Sequence, residues 1–204
     1  LTYLDEVHAV GLYGRGGRGI AEKYSVSKDV DIINGTLAKG FGQIGGYIVA
    51  DQVIIDFVKS FASGFIFTTS MMPSVAAAAT KSIEIVETLE EERLDIFSKA
   101  NYFKQKLEFA QIPFIDSNSH IIPILTYSTE RAKIYSKLLL ERYNCYIQPI
   151  FYPTVPKGSA RLRITITPKH SKNDIDQLIV ALIKIFDIHN SKEKDKRTTH
   201  HQVA

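Results

Sequence analysis

The stretch VDIINGTLAKGFGQIGGYIVAD, residues 30–51, decides the fold that this sequence predicts. Two apolar, β-branched runs flank a glycine-rich turn, a pattern that predicts strand, turn and strand. Within the turn, Lys39 stands among Gly, Ala and Phe, and Thr36 precedes it. If Lys39 is buried, loss of water favours the neutral, nucleophilic amine that Schiff-base chemistry requires, and the small neighbours leave room for a flat ring.

The segment LTYLDEVHAV, residues 1–10, is typical of a buried parallel strand and its exit. It places Asp5 and His8 at the carboxyl end of that strand, where open α/β sheets bind their ligands. Each residue also has an ordinary structural interpretation. Asp5 suits a helix cap or a salt bridge, His8 suits a buried core histidine, and Lys39 suits an exposed turn.

The segment GLYGRGGRGIAEKY contains the pattern G-x-G-x-x-G at Gly14, Gly16 and Gly19. A dinucleotide-binding fingerprint needs a longer helix after the third glycine and an acidic residue about 20 positions later, after the next strand. Here the following residues allow two helical turns at most, and Asp29 and Asp31 precede the next apolar run. The pattern therefore predicts a tight connection, either a surface turn or a loop that faces a substrate.

Downstream, the periodicity of the apolar residues predicts a different kind of unit. Its predicted elements are a helix over 74–110 before Pro113, a strand over 120–127, a helix over 129–144, strands over 145–155 and 160–167, and a helix over 171–189 capped by Ser171 or Asn173. We therefore expect an α/β fold, in which residues 1–95 end a large domain with a parallel sheet and residues 96–190 form a small α+β domain. The polar residues 191–204 are expected to be disordered.

Composition excludes several classes of function. The net charge of +3 gives no general argument for nucleic-acid binding, and no apolar run reaches the roughly 18 residues of a membrane-spanning helix. The single cysteine, Cys145, excludes an internal disulfide and fits a reducing compartment. Because Leu1 lies inside a predicted strand with no initiator Met, we expect the downstream part of a longer protein. No metal site is expected, since the pair His200–His201 stands on the polar tail.

Four segments together resemble successive motifs of one enzyme family: DEVHAVGLYG, GTLAKGFGQIGGYI, FASGFIFTTSMMP and YPTVPKGSARLRITITPKH. The family is the α-oxoamine synthases, pyridoxal-phosphate-dependent enzymes of the aspartate-aminotransferase fold type. The resemblance covers residues 1 to about 190 and is strongest to the branch that condenses glycine with succinyl-CoA. It implies the downstream half of an enzyme that makes 5-aminolevulinate, CoA and carbon dioxide for tetrapyrrole synthesis.

The resemblance implies a site for pyridoxal phosphate. Lys39 matches the lysine that holds the cofactor as an internal aldimine and then transfers protons. Asp5 matches the carboxylate paired with the pyridine nitrogen, and His8 matches the residue that hydrogen-bonds the phenolic oxygen of the ring. Val7 matches the apolar residue packed under the ring, and Thr36 matches a hydroxyl of the phosphate pocket.

The resemblance also implies substrate contacts and a partner. Thr68 and Thr69 match hydroxyls that reach the phosphate of the neighbouring subunit, which implies a homodimer with shared active sites. Arg163 matches the arginine that clamps the amino-acid carboxylate, for which a planar guanidinium is suited. Arg161 faces the same side of the predicted strand and could compete, although the family motif favours Arg163. Thr154 matches a threonine that contacts the substrate near its acyl group.

The chain departs from the family pattern in small ways and leaves alternatives open. Ala38 and Gly40 exchange places relative to the usual order, and MMPS at 71–74 replaces Leu-Pro-Pro. The alternatives are a sister enzyme such as 2-amino-3-oxobutyrate CoA ligase or 8-amino-7-oxononanoate synthase, a non-catalytic half-chain with large exposed apolar patches, and a nucleotide-binding module. Most acyl-CoA contacts of the family belong to its N-terminal half and have no counterpart here. The expected compartment is a bacterial cytoplasm or the mitochondrial matrix.

Overall fold

The computed structural model describes the backbone of residues 1–200 and the side chains of residues 1–187. The chain divides into two compact units, Leu1–Arg93 and Leu94–Ala204. The predicted domain boundary after residue 95 stays a prediction.

The first unit contains a three-stranded mixed sheet. Its elements are β1 (Tyr3–Asp5), α1 (Ile20–Lys23), β2 (Ile32–Thr36), β3 (Gly46–Ala50), α2 (Gln52–Phe61), α3 (Ser63–Ile66) and α4 (Pro73–Thr88). The strand order is β1-β2-β3, with β1 parallel to β2 and β3 antiparallel to β2. The strand, turn and strand predicted over 30–51 are therefore confirmed, as is the parallel pairing of the first strand.

A small core fixes the turn between β2 and β3. Val10, Leu37, Phe41 and Ala79 are buried together, so the residues after β1 and the turn pack on α4. The hydroxyl of Ser82 on α4 adds a hydrogen bond of 2.7 Å to the carbonyl oxygen of Phe41. Burial of each large apolar side chain contributes about 1.5–3 kcal/mol, so the turn is held by packing.

The first unit also exposes much apolar surface. The exposed large side chains include Tyr3, Val49, Val53, Phe57, Phe61, Phe65, Phe67 and Met72. Phe57 and Phe61 lie one helical turn apart on α2, and their rings stack with centroids 4.8 Å apart. The expected burial of β1 is wrong for this chain, because Tyr3 is 62% exposed. These exposed side chains agree with the apolar surface that the half-chain alternative expects.

The single helix predicted over 74–110 is wrong, because the structure contains two helices. Helix α4 ends at Thr88 and α5 spans Glu90–Phe109, with Leu89 between them. The buried side chain of Arg93 donates hydrogen bonds to the carbonyl oxygen of Val86 and to the carboxylate of Glu90. The guanidinium thus caps the last turn of α4 from the first turn of α5, which a pattern of good helix formers does not reveal.

The second unit is a helix-covered antiparallel sheet. It contains most of α5, then β4 (Ile121–Tyr127), α6 (Thr129–Tyr143), β5 (Gln148–Ile150), β6 (Ala160–Thr165) and α7 (Lys172–His200). The strand order is β4-β6-β5, and both pairings are antiparallel. Its core is formed by fully buried residues of the helices and the sheet, which include Phe103, Leu107, Ile122, Leu139, Leu162 and Leu182. The predicted order of helices and strands is confirmed in this unit.

The start of α7 settles one alternative. The hydroxyl of Ser171 accepts a hydrogen bond of 3.1 Å from the Asp174 N–H, and the Asp174 carboxylate accepts one of 2.8 Å from the Ser171 N–H. This reciprocal pair is a capping box, so Ser171 and not Asn173 is the cap. Helix α7 is described to His200, and the side chains from 188 onward, including the pair His200–His201, lie outside the described residues. The disorder predicted for residues 191–204 stays a prediction.

Two expectations concern what the fold lacks. None of the helices among the described residues is long and apolar enough to cross a membrane. Within the same part of the chain, no group of three or more His, Cys, Asp or Glu side chains could hold a metal ion.

Candidate active site

The carboxyl ends of β1 and β2 bring two predicted site residues to the same edge of the sheet. Asp5 ends β1 opposite Asn34, and Thr36 ends the parallel neighbour β2. One carboxylate oxygen of Asp5, Oδ1, accepts a hydrogen bond of 2.9 Å from the Val7 N–H. Within residues 1–187 no hydrogen bond engages the other oxygen, so the carboxylate can still pair with a cation.

Thr36 shapes the turn that follows β2. Its hydroxyl accepts a hydrogen bond of 3.1 Å from the Ala38 N–H and donates one of 3.2 Å to the Gly45 carbonyl oxygen. The Leu37 N–H donates to the same carbonyl at 2.9 Å. A hydroxyl has one proton to donate, so Thr36 must release Gly45 before it can donate to a phosphate.

Gly40 allows the lysine turn to lie directly on the chain that follows β1. A β-carbon at Gly40 would lie 2.7 Å from the carbonyl oxygen of Val10, closer than such atoms can approach. Because Val10 belongs to the segment that contains His8, this contact joins the two halves of the candidate site. The exchange of Ala38 and Gly40 therefore places the glycine of this chain where the backbone contact needs it.

The condition of burial on which the predicted neutral amine of Lys39 depended is not met in this chain, and the alternative of an exposed turn describes its position. Lys39 is exposed, and within residues 1–187 its amine makes no hydrogen bond or ion pair. Its neighbours Ala38 and Gly40 are too small to cover a four-carbon side chain. Within residues 1–187, therefore, no carboxylate competes for this amine.

His8 lies in a turn and not in the core. The turn is closed by hydrogen bonds to the Glu6 carbonyl oxygen from the N–H groups of Ala9, at 2.8 Å, and Val10, at 2.9 Å. His8 is exposed and Val7 is half-buried, so the interpretation of His8 as a core histidine is wrong. The apolar side chain of Val7 and the imidazole of His8 thus lie on one short turn that follows Asp5.

The third glycine of the pattern, Gly19, packs against a carboxylate that sequence reasoning missed. The Glu6 side chain is 1% exposed and accepts hydrogen bonds from the N–H groups of Ile20, at 2.8 Å, and Ala21, at 2.7 Å. A phosphate bound at the start of α1 would need these two N–H groups as hydrogen-bond donors. The Glu6 carboxylate already accepts both hydrogen bonds. Glutamate is mostly found at protein surfaces, and its partners lie more than a dozen residues away, so no local signal marks Glu6.

Thr68 and Thr69 lie on the exposed segment between α3 and α4. The Thr68 hydroxyl donates to the Thr69 carbonyl oxygen at 3.3 Å, and within the described residues no hydrogen bond links either side chain to Lys39. The segment does approach the lysine turn, because a β-carbon at Gly45 would lie 2.8 Å from the methyl group of Met71. Their predicted reach to another subunit stays a prediction.

In the second unit the two arginines of β6 differ in their partners. Arg161 is half-buried, and its Nε donates to the Ser159 carbonyl oxygen at 2.9 Å. Arg163 is exposed, lies between Pro123 and Gln148 in the sheet, and makes no hydrogen bond or ion pair within the described residues. Its guanidinium is the one that remains able to bind a carboxylate in two places.

Arg163 also lines a cavity of about 470 Å³ between β6, the start of α7 and the end of α6. Burial, and then the negative charge of Asp174, raise the pKa of Cys145, which lines the same cavity. A raised pKa keeps this thiol protonated and poorly nucleophilic. Thr154 lies outside the cavity lining, in an exposed turn where its N–H donates to the Phe151 carbonyl oxygen at 3.0 Å.

Comparison with known proteins identifies the family to which the chain belongs. The family described as aminotransferase class I and II matches residues 1–182. The chain belongs to that family. This aminotransferase-family chain is 50% identical over 187 residues to a 5-aminolevulinate synthase of Bradyrhizobium diazoefficiens, covering 92% of the chain and 46% of the relative. It is 44% identical over 209 residues to a 5-aminolevulinate synthase of Rickettsia prowazekii, covering 100% of the chain and 50% of the relative.

Solved structures support the same fold. A Sphingomonas wittichii serine palmitoyltransferase superposes with a TM-score of 0.84 at 26% identity, covering 93% of this chain and 48% of that one. A serine palmitoyltransferase variant from S. paucimobilis with a bound PLP–myriocin aldimine superposes with a TM-score of 0.82 at 27% identity. The match covers 90% of this chain and 46% of that one. The predicted α/β fold of the pyridoxal-phosphate transferases is confirmed. The aminotransferase-family chain spans about half the length of the curated relatives it matches.

Proposed function

We propose that this chain is the downstream half of a pyridoxal-phosphate-dependent acyltransferase that condenses glycine with succinyl-CoA. The products are 5-aminolevulinate, CoA and carbon dioxide. The supporting relatives are named 5-aminolevulinate synthase and are 43–50% identical over most of the chain. The observations that carry the proposal are that Lys39, in the turn after β2, has no hydrogen-bond or ion-pair partner within residues 1–187, and that Asp5 ends the neighbouring parallel strand β1.

The side chains at this edge fit the chemistry of the cofactor. Pyridoxal phosphate, when bound, supplies an aldehyde that reacts with amines and a ring that withdraws electrons from the reacting carbon. The chain offers an amine at Lys39, a carboxylate at Asp5, an imidazole at His8 and a hydroxyl at Thr36. These four groups match the aldehyde, the ring nitrogen, the ring hydroxyl and the phosphate in turn. The half-buried Val7 offers an apolar contact for the ring.

Lys39 and Asp5 do the work of proton transfer in this proposal. Lys39 would hold the cofactor through its amine, and that amine, once free, would accept the proton that leaves the Cα of glycine. The Asp5 carboxylate balances the positive charge on the ring nitrogen, which strengthens electron withdrawal at that Cα. The Cα of glycine would then form a bond to the thioester carbonyl carbon of succinyl-CoA, with CoA leaving as its thiol and the carboxyl group of glycine leaving as carbon dioxide.

Arg163 and Thr154 orient the substrates. Arg163 binds the glycine carboxylate through two parallel hydrogen bonds, and the unpartnered guanidinium supports this choice over the engaged Arg161. Thr154 contributes a hydroxyl near the acyl group. Orientation of both substrates lowers the barrier by replacing a bimolecular encounter with a fixed geometry.

The active site is completed by a second copy of the chain in this proposal. Thr68 and Thr69 donate hydrogen bonds to the phosphate in the neighbouring subunit. The exposed aromatic residues Phe65 and Phe67, with 55% and 86% of their surface accessible, directly precede these threonines and suit burial in a homodimer. The bacterial origin of the compared relatives supports a cytoplasmic location.

The test uses the native full-length protein, reconstituted with pyridoxal phosphate. We expect the visible absorbance band of lysine-bound cofactor and turnover of glycine with succinyl-CoA. Lys39→Ala should abolish both, whereas the matched variant of an exposed lysine in the same unit, Lys28→Ala, should abolish neither. An unchanged band in Lys39→Ala overturns the assignment of the lysine.

A substrate panel tests the choice within the family. Acetyl-CoA and longer acyl-CoA thioesters, each offered with glycine, alanine and serine, should react more slowly than the pair of glycine and succinyl-CoA. Preference for another pair would identify a sister enzyme. Absence of turnover with every pair, in a protein that binds the cofactor, would favour the non-catalytic alternative.

A further inference from the structure

Glu6 is the only carboxylate that is buried among residues 1–187. Its two oxygens accept hydrogen bonds from the N–H groups of Ile20 and Ala21, at 2.8 and 2.7 Å. A buried carboxylate is costly unless hydrogen bonds replace its water. The side chain therefore ties the glycine loop firmly to the end of β1.

The backbone of Glu6 is engaged as fully as its side chain. Its N–H donates to the Asn34 carbonyl oxygen at 2.8 Å, which extends the pairing of β1 with β2 by one residue. Its carbonyl oxygen accepts from the N–H groups of Ala9 and Val10, which closes the turn that contains His8. Glu6 thus fixes the residue before it, Asp5, and the turn after it.

Two other parts of the first unit, the glycine loop and β3, lie close enough to this carboxylate to contact it or to be affected by its charge. Gly19 has a φ of +111°, and a β-carbon there would lie 2.8 Å from the carboxyl carbon of Glu6. On β3, burial, and then the negative charge of Glu6, raise the pKa of Tyr47, whose ring covers Gly35. The carboxylate therefore contacts or influences the glycine loop, the strand end and β3 at once.

We infer that Glu6 is a positioning residue, which holds Asp5 and His8 at the distances that the cofactor ring needs. The inference rests on the proposed function. At 1% exposure Glu6 cannot touch cofactor or substrate, so any effect must pass through its neighbours. At metal sites, removal of groups that orient the ligating side chains typically weakens metal binding or activity about 10- to 100-fold, and we expect a comparable effect on the cofactor here.

The test compares Glu6→Gln with Glu22→Gln in the native full-length protein. Glu22 also anchors the glycine loop, because its carboxylate accepts the Arg15 N–H at 2.6 Å, but it has no bond to the end of β1. Both variants should speed trypsin cleavage after Arg15 or Arg18 in the cofactor-free protein. Only Glu6→Gln should weaken pyridoxal phosphate binding, by about tenfold, and shift the pH midpoint of the cofactor absorbance.

The outcomes separate this inference from the proposed function. If wild-type protein fails to bind pyridoxal phosphate, the proposed function fails and the inference with it. If wild type binds and folded Glu6→Gln keeps its affinity and pH midpoint, Glu6 is a loop anchor only and the inference alone is overturned. If Glu6→Gln does not fold, Glu6→Asp is measured instead. That variant retains the charge and shortens the reach, and wild-type cofactor affinity and pH midpoint would again overturn the inference.

Discussion

A β-carbon on Gly19 would lie 2.8 Å from the carboxyl carbon of Glu6, so the third glycine of the loop is required by a carboxylate of the same chain. The loop resembles a phosphate-binding turn in its spacing, but its donors are already satisfied by this acid. Gly19 therefore allows the loop backbone to lie against a side chain of the same chain. The sequence pattern alone does not distinguish this use from an anion site.

Gly19→Ala should therefore destabilise the first unit. The φ of +111° is strained for alanine by about 1–3 kcal/mol, and the added methyl group must displace the Glu6 carboxylate as well. Gly158→Ala is the matched control, because it has a φ of +82° with no atom within 4 Å of the new β-carbon. Urea unfolding should show a larger loss of unfolding free energy for Gly19→Ala. Equal losses would mean that strain alone accounts for both variants.

Elements that depend on local pattern were predictable from the sequence. The alternation in β6 and the glycine-rich turn between β2 and β3 are short-range features, and both appear where expected. The turn also brought Lys39, Thr36 and Asp5 into one site hypothesis, because parallel strands end at a common edge.

Features that depend on distant contacts were not predictable. The break at Leu89 is stabilised by Arg93, whose effect lies in hydrogen bonds and not in helix propensity. Glu6 escaped notice since its partners are remote in sequence. The exposure of Lys39 depends on whether residues distant in sequence cover the sheet edge. The small residues beside Lys39 in the turn carry no information about that cover.

Arg163→Lys should impair use of glycine. A lysine offers a point charge in place of the planar fork, so we expect kcat/KM for glycine to fall about 10- to 100-fold. Arg161→Lys is the comparison, since Arg161 already donates to the Ser159 carbonyl oxygen. Steady-state kinetics of the full-length protein decide the matter. A larger fall for Arg161→Lys would transfer the role to Arg161.

Thr36→Val should weaken both the turn and cofactor binding. The variant removes the acceptor of the Ala38 N–H and the donor to Gly45, each hydrogen bond contributing about 0.5–1.5 kcal/mol. It also removes a donor to the phosphate, so affinity for pyridoxal phosphate should fall about tenfold. Thr36→Ser retains the hydroxyl and should bind nearly as wild type. Equal affinity in Thr36→Val would exclude Thr36 from the phosphate pocket.

Acid should weaken the start of α7. Hydrogen bonds from the Ser171 N–H and hydroxyl lower the pKa of Asp174 below its ordinary value of 3.8. A lowered folded-state pKa stabilises the protein above about pH 4, and this stabilisation is lost as pH falls through the folded-state value. Ser171→Ala should therefore reduce the decrease in unfolding free energy between pH 5 and pH 3. Denaturant unfolding at several pH values measures it, and an unchanged pH profile would contradict the assignment.

The aromatic pair on α2 should govern self-association of the 204-residue chain. Phe57 and Phe61 are 62% and 70% exposed, so their replacement removes apolar surface without creating a cavity. The double variant Phe57→Ser and Phe61→Ser should bind less hydrophobic dye and aggregate less, as measured by dye fluorescence and light scattering. Replacing a buried aromatic pair would instead destabilise the unit, so a loss of unfolding free energy above about 2 kcal/mol would show that these rings pack within the chain. Unchanged dye binding would mean that another exposed apolar surface drives self-association, and Phe65 and Phe67 would be the next residues to replace.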